Sequence, residues 1–185
     1  MSHKVCNIDI KEIQNQQLMI LKELDRICQK HNIKYHLMGG TLLGSIRHKG
    51  FIPWDDDIDV SMIRADYEMF LDVCGRELNS GYFLQTNKTD KNYIMQFAKL
   101  RKNHTLFIEK SMNDLDIHHG IYIDIFPLDN ILPDTKRGSF QQKLLYILGR
   151  LNLTRSKSIC LSANNKPSQI VRLLYYYLMK LIPKA

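Results

Sequence analysis

The stretch His36-Leu37-Met38-Gly39-Gly40-Thr41-Leu42-Leu43-Gly44-Ser45-Ile46-Arg47-His48-Lys49-Gly50-Phe51-Ile52-Pro53-Trp54-Asp55-Asp56-Asp57-Ile58-Asp59-Val60 decides how the chain is read. Tyr35 to Met38 is a short apolar strand candidate that runs straight into two glycines. Thr41 to Arg47 then reads as a short helix, so the order is strand, glycine turn, helix N-terminus. Glycines let backbone N–H groups approach a phosphate, and the start of a helix favours its negative charge. Gly39, Gly40 and Thr41 are therefore expected beside an anion, with the hydroxyls of Thr41 and Ser45 and the cations Arg47 and Lys49 near it, while His48 reads as part of a solvated face. Gly50 to Trp54 is loop-like, because Pro53 also restrains Ile52. From Asp57 to Met62 the residues alternate as in a strand, which projects Asp57 and Asp59 to one face and Ile58 and Val60 to the other. Asp55, so close to Pro53-Trp54, reads as a turn or supporting residue.

Two carboxylates on one strand face repel each other unless a cation sits between them. Mg²⁺ or Mn²⁺, which prefer oxygen ligands, meet that need, and no His or Cys cluster offers zinc-like ligation. Asp124 repeats the arrangement, flanked by Ile123 and Ile125 in the strand candidate Gly120–Phe126. An acid in such a strand is unfavourable unless paired or metal-bound. If the two strands are neighbours, Asp57, Asp59 and Asp124 converge on one spot, where a two-metal site could orient an acceptor hydroxyl and neutralise a pyrophosphate leaving group. Asp124 is the expected acceptor of the hydroxyl proton. Lys99 and Arg101, at alternate strand positions, are candidate phosphate contacts, with a solvated face as the equal alternative.

Further out, Ile13, Leu18, Leu21, Leu24, Ile27 and Cys28 follow helical spacing and predict a first helix from Ile10 to Cys28, ending near His31-Asn32. Asp66 is placed as the cap of a helix running to about Leu78. Strands are expected at Tyr82–Gln85, Ile94–Leu100 and Thr105–Ile108, and Pro127 is expected to close the strand that carries Asp124. Beyond Pro133 the pattern turns helical, with Ser156–Ser168 as a flexible connection. The fold class is α+β, a mixed sheet flanked by helices with a helical C-terminal tail. The organisation is a catalytic domain over 1–133 and a basic helical extension over 134–185, packed on it.

The chain has 185 residues, a formal net charge of +7 and 44% hydrophobic residues, which describes a globular protein of ordinary size. Residues 134–185 carry ten Lys and Arg against the single acid Asp134, leaving residues 1–133 slightly acidic. That basic tail is a candidate peripheral membrane contact, through Ile170, Leu174, Tyr177, Leu178 and Leu181 on one helix face. Without a nucleic-acid motif or regular aromatic interleaving, no nucleic-acid partner is expected. Cys6, Cys28, Cys74 and Cys160 form no C-x-x-C pair and read as reduced thiols. With no signal-peptide run and no bilayer-length apolar stretch, a cytoplasmic location, peripheral to the inner membrane face, is expected.

The segment 36–60 resembles the LicD family of phosphocholine and related phosphotransferases, itself similar to the fukutin-type ribitol-phosphate transferases. His119-Gly120-Ile121-Tyr122-Ile123-Asp124-Ile125-Phe126-Pro127-Leu128-Asp129 carries the resemblance too, and Lys99-Leu100-Arg101 does so more weakly. The resemblance covers about Ile10 to Leu132. It implies a nucleotidyltransferase-like fold, a donor such as CDP-choline or another CDP-alcohol, and a glycan or lipid-linked glycan acceptor of the teichoic acid or lipopolysaccharide type. It also implies Asp57, Asp59 and Asp124 as catalytic and metal-binding acids, with Gly40, Thr41 and Arg47 at the donor phosphate. Family members usually continue past position 185, so a C-terminal part is expected to be missing. Two alternatives stand beside phospho-alcohol transfer: movement of an NMP from an NTP to a small molecule, and a non-catalytic module that binds membrane or polymer.

Overall fold

The computed structural model describes residues 9–132, 135–162 and 166–181, apart from the side chain of Leu181. Two compact units emerge. The first comprises Met1–Leu84, Phe97–Leu106 and Gly120–Leu128, and the second Gln85–Gln96, Phe107–His119 and Asp129–Ala185. Cys6 and the expected boundary at Pro133 lie outside the described residues.

Helix α1 (Ile10–His31) starts where the Asp9 carboxylate accepts the Lys11 N–H at 3.0 Å, and it ends where Asn32 takes a left-handed conformation, φ 54°. Both are ordinary helix-end devices. Ile13, Ile20, Leu24, Ile27 and Cys28, three or four residues apart, form its buried stripe. A two-residue strand β1 (His36–Leu37) leads into α2 (Gly39–Arg47). Then follow β2 (Asp59–Ile63), α3 (Arg64–Glu77), β3 (Tyr82–Gln85), β4 (Ala98–Lys102) and β5 (Tyr122–Leu128). The sheet order is β1-β2-β5-β4-β3. β2 runs parallel to β5, while the β1–β2 and β4–β5 pairs are antiparallel.

Alternation along these strands splits the sheet into two unlike faces. Val60, Met62, Ala98, Leu100, Ile123 and Ile125 are wholly buried and share a core with Ile20, Leu24 and Ile27 of α1 and Phe70 and Val73 of α3. Each large aliphatic side chain buried this way contributes about 1.5–3 kcal/mol relative to exposure. The other face carries Asp59 and Ser61 from β2, Lys99 and Arg101 from β4, and Tyr122, Asp124 and Phe126 from β5. The apolar face anchors the sheet, which leaves the polar face as a rigid platform.

The second unit contains α4 (Lys136–Leu153), α5 (Lys157–Leu161) and α6 (Lys166–Leu181). Ser156, within the stretch expected to be a flexible connection, is buried and caps α5 by accepting the Ile159 N–H at 3.2 Å. Its hydroxyl also bonds to the Ser111 carbonyl at 2.7 Å and to the Asp114 carboxylate at 2.9 Å. Those bonds order 156–161 where composition alone suggested a loop.

Other expectations are corrected at element edges. β2 begins at Asp59, not Asp57, because α1 claims the preceding carbonyls: Gln14 donates to Ile52 and Asp55, and Gln17 to Asp56. The chain enters the ladder to β5 at Ile58, whose carbonyl accepts the Asp124 N–H at 2.9 Å. α3 starts at Arg64, so Asp66 lies in its first turn and is not its cap. β4 runs Ala98–Lys102, shifted toward the C-terminus from the expected Ile94–Leu100. Thr105–Ile108 forms no strand; the Thr105 hydroxyl takes the Ile121 N–H at 2.9 Å in place of a ladder partner. β5 passes through Pro127 to Leu128. Its described pairing with β4 reaches Ile125, so the missing N–H of Pro127 interrupts no bond on that side. Cys28, Cys74 and Cys160 are buried free thiols, the first two pushed up to about 12 chiefly by burial.

Candidate active site

The register of three strands assembles the site. Asp59 stands opposite Asp124 across the parallel pair, and Lys99 stands opposite Asp124 across the antiparallel pair. Neighbouring strands lie about 4.8 Å apart, so Asp59, Asp124 and Lys99 form one row across the polar face. The Lys99 Nζ donates to Asp124 Oδ1 at 2.7 Å and sits 3.4 Å from the centre of the Tyr122 ring. Lys99 is almost wholly buried. A buried ammonium is tolerated only with a counter-charge and favourable contacts of this kind.

Arg101, equally buried, donates to the Gly120 carbonyl at 2.7 Å and lies 4.8 Å from the Tyr122 ring centre. Both cations thus have partners inside the first unit: Lys99 holds the carboxylate of Asp124, and Arg101 holds the chain just before β5.

The glycine turn packs against the same acids. Gly39 has φ +56°, and a β-carbon there would come 3.3 Å from Asp59 Oδ2. At Gly40 a β-carbon would lie only 2.6 Å from Asp55 Oδ2. Two glycines therefore let the carboxylates of Asp59 and Asp55 close on the first turn of α2, where the helix dipole favours negative charge. Thr41 fastens that approach by accepting the Asp59 N–H on its hydroxyl at 2.9 Å, and Met38 donates its N–H to the Asp59 carbonyl at 3.1 Å. Ser45 and Arg47 lie one to two turns further along α2; the Ser45 hydroxyl donates to the Leu42 carbonyl at 2.7 Å, and Arg47 is exposed. Gly39, Gly40, Thr41, Asp59, Lys99 and Asp124 are drawn together, and Ser45 and Arg47 are set apart.

Asp57 precedes β2 yet stays within the electrostatic reach of this group. Its carboxyl is pushed up to about 6, first by burial, then by repulsion from Asp55 and Asp56, a hydrogen bond with Asp55, and the charge of Asp124. Asp59 is also raised to about 6, by burial and then by Asp57, against a lowering influence from Lys99. Asp55 enters both environments, so it belongs to the acidic cluster that sequence reading had confined to Asp57, Asp59 and Asp124. The signal for it was present in the alternate spacing of Asp55, Asp57 and Asp59; the nearby Pro53 obscured it.

The oxygen-only donor set suits a hard divalent cation. Among the described residues, carboxylate oxygens of Asp55, Asp56 and Asp57 lie within 4.8 Å of one another. Asp57 thus links that cluster to the Asp59–Asp124 row, and two raised carboxyls side by side are the electrostatic condition that a bound cation relieves.

Residues 32–146 match the family described as LicD/FKTN/FKRP, nucleotidyltransferase domain, a span that holds every residue of this site. Over 128 residues the chain is 51% identical to the lipopolysaccharide cholinephosphotransferase LicD of Haemophilus influenzae, covering 67% of this chain and 47% of that protein. It is 38% identical over 69 residues to an uncharacterised protein of Rickettsia typhi, covering 37% of this chain and 22% of that one. A 47-residue stretch is 45% identical to an uncharacterised protein of Rickettsia prowazekii, covering 25% of this chain and 18% of that one. The chain spans less than half the length of these curated relatives.

The raised acids make a signed prediction for the metal-free chain. Between about pH 4 and pH 7 the folded state binds more protons at Asp57 and Asp59 than the unfolded state does, so their contribution to stability falls as pH rises through about 6. The double variant Asp57→Asn, Asp59→Asn should melt higher than wild type at pH 7.5, by about 2–4 °C for each kcal/mol relieved, and the gap should narrow markedly at pH 4.5. Adding Mg²⁺ at pH 7.5 should raise the wild-type midpoint alone. Differential scanning fluorimetry reads both effects, and a gap that ignores pH and Mg²⁺ would contradict the electrostatic picture.

Proposed function

This chain belongs to the LicD family, and on that premise we propose that it transfers a phosphocholine-type group from a CDP-alcohol to a hydroxyl of a cell-surface glycan precursor. The observation that carries the reading is the row Asp59–Asp124–Lys99, with Asp57 beside it and the start of α2 closed against it. The relative from Haemophilus influenzae, named for choline phosphate transfer to lipopolysaccharide, supports choline as the alcohol and a lipopolysaccharide precursor as the acceptor. A teichoic acid precursor presents the same kind of hydroxyl.

In the proposed reaction the acceptor oxygen bonds to the phosphorus that bears choline. The bond from that phosphorus to the CMP oxygen breaks, and CMP leaves with the electron pair. The hydroxyl proton passes to a carboxylate. Lys99 fixes the Asp124 carboxylate in the row by donating to it at 2.7 Å. The acceptor would be a carboxylate oxygen of the cluster that the cation leaves free, because coordination lowers a carboxylate's affinity for protons.

Asp57, Asp59 and Asp124, with Asp55 next to them, would hold Mg²⁺ or Mn²⁺. Such a cation would stabilise the charge that builds on the phosphate oxygens and on departing CMP. The first-turn N–H groups of α2, at Gly39, Gly40 and Thr41, would suit donor phosphate oxygens. Catalysis of this kind rests on positioning and charge stabilisation, both of which a rigid sheet face supplies.

The second unit supports a peripheral membrane contact. Helices α4, α5 and α6 contain no Asp or Glu. Phe140, Leu144, Leu145, Ile147 and Leu148 of α4, and Ile170, Leu174, Tyr177 and Leu178 of α6, are all exposed. No helix among the described residues is long and apolar enough to cross a membrane. Exposed apolar residues interleaved with Lys and Arg suit the surface of an anionic bilayer, where lipid-linked acceptors would be met.

Two measurements test these readings. With CDP-choline, Mg²⁺ and a lipopolysaccharide precursor, the chain should release CMP stoichiometrically with choline phosphate incorporation, and Asp59→Asn should slow this at least about 100-fold. Pyrophosphate release from CTP, with CDP-choline untouched, would instead support nucleotidyl transfer. In a vesicle flotation assay the chain should bind bilayers containing phosphatidylglycerol and ignore pure phosphatidylcholine, with binding weakened by Leu174→Glu. Equal recovery with both lipids would overturn the electrostatic membrane contact.

A further inference from the structure

The polar face of the sheet is laid out in rows, one for every second residue along a strand. The row through the acids is Asp59, Asp124 and Lys99. Two residues further along β5 comes Phe126, opposite Ser61 in the parallel register. Phe97 lies two residues before Lys99, and its ring centre is 4.4 Å from that of Phe126, with the planes inclined at 38°. Both rings are partly buried, and neither belongs to the core cluster beneath α1 and α3. Two residues of strand span about 6.6–6.8 Å. The aromatic pair therefore begins one step from the carboxylates, a distance suited to a two-carbon alcohol extending from a phosphate held at the acids.

The surrounding charges select what can rest there. Tyr122, on the far side of Asp124, is already engaged by the Lys99 ammonium at 3.4 Å and the Arg101 guanidinium at 4.8 Å. The Lys99 Nζ also lies 5.6 Å from the Phe97 ring centre, but Asp124 balances its charge at 2.7 Å. Asp55, Asp57 and Asp59 leave the neighbourhood acidic. A cation is therefore attracted to this part of the face. A quaternary ammonium has no N–H to donate, so aromatic ring faces in an anionic field are the surroundings that recognise it. Ribitol or glycerol would need hydrogen-bonding partners, which the two rings do not supply; in the same row the Ser61 hydroxyl is buried and turned to the His36 carbonyl, and His36 is the polar side chain opposite it.

We propose that Phe97 and Phe126 form the subsite for the quaternary ammonium end of the donor's alcohol, and so set the preference for choline over polyols. This rests on the reading of the donor as CDP-choline.

Isothermal titration of the full chain with three ligands in Mg²⁺ tests it: CDP-choline, its neutral analogue with carbon in place of the choline nitrogen, and CMP. Wild type should bind CDP-choline roughly tenfold more tightly than the carbon analogue. Phe97→Leu and Phe126→Leu, which keep an apolar side chain, should each erase most of that preference and leave CMP affinity within about twofold, which also verifies the fold. Variants that keep the full preference would overturn the subsite alone. A wild type that does not distinguish the charged ligand from the neutral one would overturn it without any variant. Failure of wild type to bind CDP-choline, with CMP still bound, would overturn the donor reading and the subsite with it.

Discussion

The pairing of β2 with β5 is the constraint on which the rest of the structure depends. A slip of one residue in that parallel register would turn every side chain of β2 to the opposite face, carrying Asp59 into the aliphatic core and Val60 out of it. Val60 and Ile125, both wholly buried and opposite each other, hold the register from below. Their burial beneath α1 and α3 is what stacks Asp59 beside Asp124 above. Lys99 then enters from β4 to balance one of the acids, and the first turn of α2 closes on the other. The fold thus places like charges together by using apolar burial on the reverse side of the same strands.

Much of this was legible from local pattern. The first helix carries its own signals, an Asp before it and an Asn after it, and both act as caps. Asp57, Asp59 and Asp124 stood out because acids flanked by Ile and Val in strand-like runs have few structural explanations. The double glycine announced a close approach, although the groups closest to it here are the carboxylates of Asp59 and Asp55. What remained hidden was non-local. Nothing near residue 57 reveals that Gln14 and Gln17, some forty positions earlier, hold the carbonyls of Ile52, Asp55 and Asp56 and delay the start of β2. The Lys99–Asp124 ion pair depends on a register between strands 25 positions apart. Periodicity assigns Lys99 to a face but cannot say what stands opposite. The Phe97–Phe126 pair was hidden for the same reason.

Family membership and geometry contribute differently. The match over residues 32–146 includes the glycine turn, the acid row and the buried cations, so the chain holds the elements that the proposed chemistry needs from its own residues. The aligned stretch covers 47% of the Haemophilus influenzae relative and less of the other two, and the acceptor glycan is the part of the proposal that draws most on them. In the proposed reading, donor handling would draw on α2 for phosphate oxygens, on Asp57 and Asp59 for a cation, on Asp124 held by Lys99, and on the two phenylalanine rings.

The central claim is that Asp57 and Asp59 are ligands of a divalent cation on the polar face of the sheet. Anomalous diffraction from crystals grown with Mn²⁺ and CMP tests it most directly. The expected result is a manganese peak about 2.1 Å from carboxylate oxygens of both Asp57 and Asp59, absent from crystals of Asp59→Asn. A peak bound only by the exposed Asp56 and its neighbour Asp55, unchanged in that variant, would contradict the claim.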